Sequence, residues 1–189
     1  MAAAVAHVEN ESSVNLNDPA QKAVIDSITK QLARAFDKAH DDNQGIVTRN
    51  GTDYTGNQYA MMLSDIKVIF STYNQSDGNA AQFIPQKDIE TDDYTGQIYI
   101  DVDHPHHANL AAHFGGNAEM ANMFLLGHEL GHAILHQFHA SIESGMTPDA
   151  REMNAHDFAR DLFGYLGLTG PTDAQMNAAG YTGKYTPTP

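Results

Sequence analysis

The chain of 189 residues contains no cysteine. That absence excludes disulfides, thiolate zinc sites and cysteine nucleophiles together, while leaving the compartment open. Positive charge is also scarce, with 10 Lys and Arg against 24 Asp and Glu and a formal net charge of −14. Such a surface repels phosphate backbones and anionic lipid, so neither nucleic acid nor membrane is expected as a partner. No apolar run approaches the roughly 18 residues of a membrane helix. The start, "MAAAVAHVEN", lacks the basic stretch and long apolar core of a complete signal peptide. Hydrophobic residues make up 41% of the chain, enough for one core and therefore one domain.

What is present is unevenly placed. Between Lys87 and Arg151 there is no Lys or Arg, while ten Asp and Glu and eight of the eleven His fall there. A solvated acidic face accounts for the carboxylates but would not concentrate the histidines. A region of negative potential that attracts cations accounts for both.

Residues 1–18 are polar, show no apolar period and are expected to be unordered. Asn17-Asp18-Pro19 then opens a helix, with Asp18 as N-cap and Pro19 at the first position. Val24, Ile25, Ile28, Leu32 and Phe36 continue it at helical spacing to near His40. Residues 66–73 and 97–102 are rich in β-branched and aromatic side chains and read as strands. "TDYTGNQY" (52–59) and "DDYTGQIY" (92–99) resemble each other and read as repeated turn chemistry. The loop "DHPHHANLAAHFGGN" leads to a second helix over about 118–140, and Thr147-Pro148 starts a third that runs to about Leu166. The expected organisation is a segment over 1–18, one α+β domain over 19–169, and a loop-rich tail over 170–189.

His128-Glu129-Leu130-Gly131-His132 is an HExxH motif. On a helix, positions i and i+4 share a face with Cβ atoms roughly 5–6 Å apart. Two imidazoles at that spacing can aim their nitrogens at one ion about 2.0–2.1 Å away, the distance zinc prefers. Glu129 lies about 100° round the helix, beside the ion, where it can take a proton from a water. Met123, Phe124, Leu125 and Leu126 precede the motif and Ala133, Ile134 and Leu135 follow it. Both faces of this helix therefore read as buried, and a buried histidine or glutamate needs a partner.

A catalytic zinc takes three protein ligands and a water. "REMNAHDFARDLFGYLG" offers the third, because His156, Ala159, Phe163 and Leu166 all fall within about 40° of Glu152 on a helical wheel. Glu152 is thus expected on a core-facing stripe, where a lone carboxylate is costly. Asp157, about 140° away, is expected to face solvent.

HELGH followed by E-x-x-A-x-x-F-A-x-x-L (Glu152, Ala155, Phe158, Ala159, Leu162) resembles the zincin metallopeptidases of the gluzincin type, over roughly residues 97–166. The resemblance implies a zincin-like single domain: a small mixed sheet, an N-terminal helix, an active-site helix carrying HExxH and a C-terminal ligand helix. It implies one Zn2+ per chain held by His128, His132 and Glu152, with Glu129 as general base. It also implies that the strand in "GQIYIDVD" borders the substrate cleft. The chain departs from the pattern at one position, since many relatives read E-x-x-A-D where His156 stands here. His156 can orient a ligand histidine, replace Glu152 as the third ligand, or stabilise an oxyanion. Glu152 is favoured as ligand because sites of the His₂Glu kind are well attested.

The other histidines receive plainer assignments. His136 lies about 12 Å along the axis from His128 and cannot join the same ion, so it is expected to pack or support. Leu135 and Phe138 stand where the longer metzincin pattern needs Gly and His, which excludes that class. His139 is expected at the surface, and "DVDHPHH" (101–107) is expected to be a solvated loop rather than a second ion site.

The function expected from this constellation is a zinc-dependent endopeptidase acting on a protein or peptide substrate. Tyr99, Tyr165, Tyr181, Tyr185 and His156 are the candidates to steady the oxyanion. A non-catalytic zinc-binding module for partner recognition or regulation is the alternative, and a His-rich metal buffer a third. The presence of Glu129 favours catalysis, since a structural metal site needs no base. The chain also resembles the compact metallopeptidase effector or toxin domains of bacteria, such as the NleD-like effectors, and the core of ImmA/IrrE-type regulators, without a helix-turn-helix. That resemblance implies secretion or delivery into a target cell, and an immunity or inhibitor protein as a partner.

Overall fold

Asp18 opens the first helix as its sequence predicts, with Oδ1 accepting the backbone N–H groups of Ala20 at 2.8 Å and Gln21 at 3.3 Å. The computed structural model describes residues 8–41, 46–49, 52–72, 79–87 and 94–181. In chain order the elements are β1 (Val8–Asn10), α1 (Pro19–Asp41), β2 (Ile46–Arg49), β3 (Thr52–Thr55), α2 (Gly56–Ser64), β4 (Ile66–Ser71), β5 (Ala81–Lys87) and β6 (Tyr94–Asp101). They continue with α3 (His106–His113), α4 (Ala118–Phe138), α5 (Ala140–Glu143), α6 (Pro148–Tyr165) and α7 (Asp173–Ala178).

Four strands form a small mixed sheet in the order β1-β4-β6-β5. β1 and β6 each run parallel to β4, and β5 runs antiparallel to β6 at the edge. β2 and β3 make a separate antiparallel pair. Val68 stands opposite Ile98 and Ile98 opposite Phe83, while Phe70 stands opposite Ile100 and Ile100 opposite Ala81. This cross-strand alignment of apolar residues fixes the register, because a one-residue slip would turn the whole set to the other face. Val68, Phe70, Ile98 and Ile100 are fully buried. Among the described residues no helix is long and apolar enough to cross a membrane.

Several short elements depart from the expectations. The segment expected to be unordered carries β1, a three-residue edge strand too short to show a period. "TDYTGNQY" does more than turn: Thr55 caps α2 in a capping box with Gln58. In the second copy, the residues from Tyr94 onward run as β6. The loop expected after residue 103 holds α3, and the tail holds α7, started by a Thr172–Gln175 capping box and anchored by the fully buried Met176.

Helix α4 occupies the middle of the molecule, touching α1, α3, α6, β5 and β6. From Ala121 to Leu135 every residue except His132 is buried. Its closest neighbour is α6. A Cβ placed on Gly131 would lie 2.8 Å from Ala155 Cα and 3.0 Å from Phe158 Cβ, and one on Gly127 would lie 3.0 Å from Ala159 Cα. The two glycines are four apart on α4 and the two alanines four apart on α6, so each pair lies on one face. The backbones meet where there is no room for a methyl group. Glu152 stands one turn before Ala155, and His128 and His132 each follow one of the glycines, so this contact sets the distance between them.

Gly131→Ala and Gly164→Ala separate packing from helix propensity. Alanine at either position gains up to about 1 kcal/mol of propensity. At Gly131 the obstructing atom is backbone, which cannot rotate away, and overpacking costs about 1–3 kcal/mol. At Gly164 on α6 nothing lies within 4 Å. Denaturant midpoints should rank Gly164→Ala above wild type and wild type above Gly131→Ala. A Gly131→Ala protein as stable as Gly164→Ala would contradict the tight contact.

Candidate metal centre and cleft

His128 and His132 project from consecutive turns of α4 with their Nε2 atoms 3.2 Å apart. Glu152, on the first turns of α6, places Oε2 3.3 Å from His128 Nε2 and Oε1 3.4 Å from His132 Nε2. Two nitrogens each about 2.0–2.1 Å from a tetrahedral ion lie about 3.3 Å apart, so this donor set fits a zinc-sized dication. It is the one such group of three among the described residues.

Glu152 corrects one expectation. Its side chain is 55% exposed, facing the cleft rather than the core. The stripe it belongs to does enter the core further along, where His156, Ala159, Phe163 and Leu166 are buried. Glu152 lies where that stripe emerges. Hydrogen bonds from His128 and His132 hold its carboxyl well below the usual carboxylate range, against partial burial. Burial alone would lower the pKa of His132, but its hydrogen bond to Glu152 and the charges of Glu129, Glu152 and Glu143 outweigh that and raise it.

Glu129 is 5% exposed, and its Oε2 accepts the backbone N–H of Phe83 at 2.7 Å. Its other oxygen makes no hydrogen bond among the described residues. The N–H of Phe83 is turned outward from β5, away from β6. Pro85, two residues on, shares that outward edge, where a missing N–H breaks no ladder bond. The cleft is therefore bordered by β5 and not, as the resemblance implied, by the β6 strand of "GQIYIDVD", which lies inside the sheet. Gly96 on β6 leaves room for the Phe83 ring, which would sit 2.5 Å from a Cβ there.

His156 stacks on His128, with ring centroids 4.9 Å apart and planes 27° apart. It stands outside the donor group. Burial, then the neighbouring His128, pushes its pKa down to about 4, so the ring is neutral at neutral pH.

The cleft, of about 660 Å³, is lined by Glu129, Glu152, both motif histidines, the β5 edge, His106 and Tyr181. Tyr181 packs its ring 4.9 Å from those of Phe124 and His156. Its hydroxyl lies 2.9 Å from His106 Nε2. Burial, and then the charges of Glu129 and Glu152, push the Tyr181 pKa up to about 12, keeping it a protonated donor. Burial and the nearby His104, His107 and His113 lower the pKa of His106. The other tyrosine candidates are elsewhere. Tyr99 donates to Gln97 Oε1 at 3.0 Å away from the cleft lining, and Tyr165 lies under Lys38 at the end of α6. Tyr185 lies outside the described residues.

Three further histidines have partners. His136 bonds Glu143 at 2.9 Å and lines the cleft. His139 is buried rather than superficial and bonds the hydroxyl of Tyr54 at 2.9 Å, tying the end of α4 to β3. His107, in the stretch expected to be a solvated loop, is buried between the carbonyl of Asp101 (2.8 Å) and Asn122 Oδ1 (3.0 Å). It joins the end of β6 to α4.

No protein-family model, curated protein or solved structure matches this chain.

The charge arrangement predicts opposite pH trends with and without metal. A metal ion such as zinc held by this group would need the free nitrogens of both histidines, so protons would displace it as pH falls through the histidine range. The raised pKa of His132 brings that competition in early. In the metal-free chain, the raised His132 contributes stability below its ordinary pKa and loses it as pH rises through the raised value. The depressed Glu152 contributes above its ordinary pKa and loses it as pH falls through the depressed one. Both contributions are present between about pH 4.3 and pH 6.5. The gain in Tm on adding zinc should therefore grow from mildly acidic to mildly alkaline pH. Thermal scans with and without zinc check this, and a gain that does not change with pH would contradict it.

Proposed function

We propose that this chain is a zinc-dependent endopeptidase with a zincin-like domain, hydrolysing peptide bonds of a protein substrate. The observation that supports this most is Glu129. The three-ligand set requires no buried carboxylate there, and only one of its oxygens is tied to Phe83, while the other makes no hydrogen bond among the described residues. Zinc held by His128, His132 and Glu152 supplies Lewis acidity toward a carbonyl oxygen and a water.

The chain's own groups do the rest. Phe83 N–H fixes Oε2 of Glu129, and Oε1 takes a proton from the water whose oxygen bonds to the carbonyl carbon. As the carbon–nitrogen bond breaks, Glu129 returns that proton to the leaving amine. Tyr181, its hydroxyl positioned by His106, donates to the carbonyl oxygen as negative charge develops there. The outward edge of β5 offers main-chain hydrogen bonds to an extended peptide. For the biological setting we propose a secreted or delivered effector or toxin, restrained by an immunity or inhibitor protein, in keeping with the sequence resemblance.

Glu129→Gln should keep fold and zinc content and lower cleavage by about 10²–10⁴-fold, the usual contribution of a general base. Tyr181→Phe should lower kcat by about 10²–10³-fold with KM little changed, as expected for an oxyanion donor. Incubation with a proteome, followed by mapping of new N-termini, supplies the substrate for both measurements. Equal cleavage by wild type and Glu129→Gln, with zinc bound to both, would remove Glu129 as base. If neither cleaves anything and both bind the same partner, the chain is a binding module instead.

A further inference from the structure

The Nδ1 atom of His128 is buried and has no hydrogen-bond partner among the described residues, and the same is true of Nδ1 of His156. A histidine that ligates through Nε2 carries its proton on Nδ1. That N–H ordinarily donates to a carboxylate, a carbonyl or a water, which fixes the ring and makes the ligating nitrogen more basic. Here the group beside His128 is the ring of His156, stacked at 4.9 Å and 27°. A stacked imidazole presents its π face, with its lone pair in its own plane. Phe124 lies on His156 at 6.4 Å and 30°, and Tyr181 meets its ring at 4.9 Å and 80°, so the surroundings of His128 are aromatic. The third donor, Glu152, is more than half exposed. One ligand thus lacks its outer support, and another lies open to solvent.

We infer that this centre holds its metal reversibly, so that its activity follows the metal available around it, because no acceptor among the described residues meets Nδ1 of His128 and the neighbouring His156 only stacks against its ring. The inference rests on His128, His132 and Glu152 being the metal ligands. An outer partner of this kind is worth about 10–100-fold in metal affinity.

The test uses the full chain and zinc alone, in competition with a chromophoric chelator at neutral pH. His156→Asp supplies a carboxylate acceptor, His156→Asn supplies a neutral carbonyl should the first variant fold poorly, and His156→Phe keeps the aromatic stack without a polar atom. His156→Asp should tighten zinc by about 10–100-fold and slow its release to excess chelator, with His156→Asn intermediate. His156→Phe should match wild type. If both acceptor variants, folded by circular dichroism, bind zinc no more tightly than wild type, the inference is wrong. It is also wrong if His156→Phe binds distinctly more weakly, since His156 would then be holding the metal itself. His132→Ala separates this from failure of the ligand set. If that variant binds zinc as wild type does, the site itself is misassigned and the inference falls with it. Tightening in an acceptor variant, together with loss of zinc in His132→Ala, upholds both.

Discussion

Gly127 and Gly131 let α4 come so close to Ala155 and Ala159 of α6 that a single methyl group on either glycine would meet backbone. The three-residue donor group depends on that contact. The two histidines are neighbours through helix geometry alone, since any i, i+4 pair would be. Their relation to Glu152, from a different helix, is set by how near the two backbones lie. Larger residues at the seam would push the two backbones apart and with them the carboxylate from the histidines, against donor separations of 3.2 to 3.4 Å. A rigid seam of small residues under an open cleft also places the donors on helices rather than loops, which holds a site more accurately.

A second constraint joins the helix to the sheet. The hydrogen bond from Phe83 to Glu129 uses an edge-strand N–H that would otherwise face the cleft unpaired, and it keeps a buried carboxylate satisfied. Pro85 on the same edge and Gly96 beneath the Phe83 ring suit that arrangement. On the opposite wall, Tyr181 depends on α7, whose Met176 is fully buried and whose carbonyl accepts the N–H of Tyr181 at 2.9 Å. The proposed base and the proposed oxyanion donor thus reach one cleft from separate parts of the core.

The parts of this site that were legible in the sequence are those set by local periodicity. HExxH declares a pair of histidines able to share one metal because four residues make about one helical turn, and the Glu152 stripe is readable for the same reason. A helical wheel gives direction without depth, which is why Glu152 reads as buried but stands at the mouth of the cleft. Phe83 was not legible, because its part is played by a backbone N–H, and because Pro85 and two glutamines hide a strand that only an edge position tolerates. Tyr181 and His106 are 75 residues apart, and Tyr54 and His139 are 85 apart. No periodicity links such pairs, so His139 reads as surface and Tyr181 as one tyrosine among several. Very short elements escape for a related reason: β1 and α7 are held by pairing and by one buried methionine rather than by a long amphipathic pattern.

We propose that α4 and α6 together build one metal centre from two histidines and a glutamate. Crystals grown with zinc and measured on both sides of the zinc absorption edge test it most directly. One ion per chain is expected, bonded to Nε2 of His128, Nε2 of His132 and a carboxylate oxygen of Glu152 at about 2.0–2.2 Å. An ion bonded to His156 in place of Glu152, or zinc bound only away from the α4–α6 seam, would contradict it.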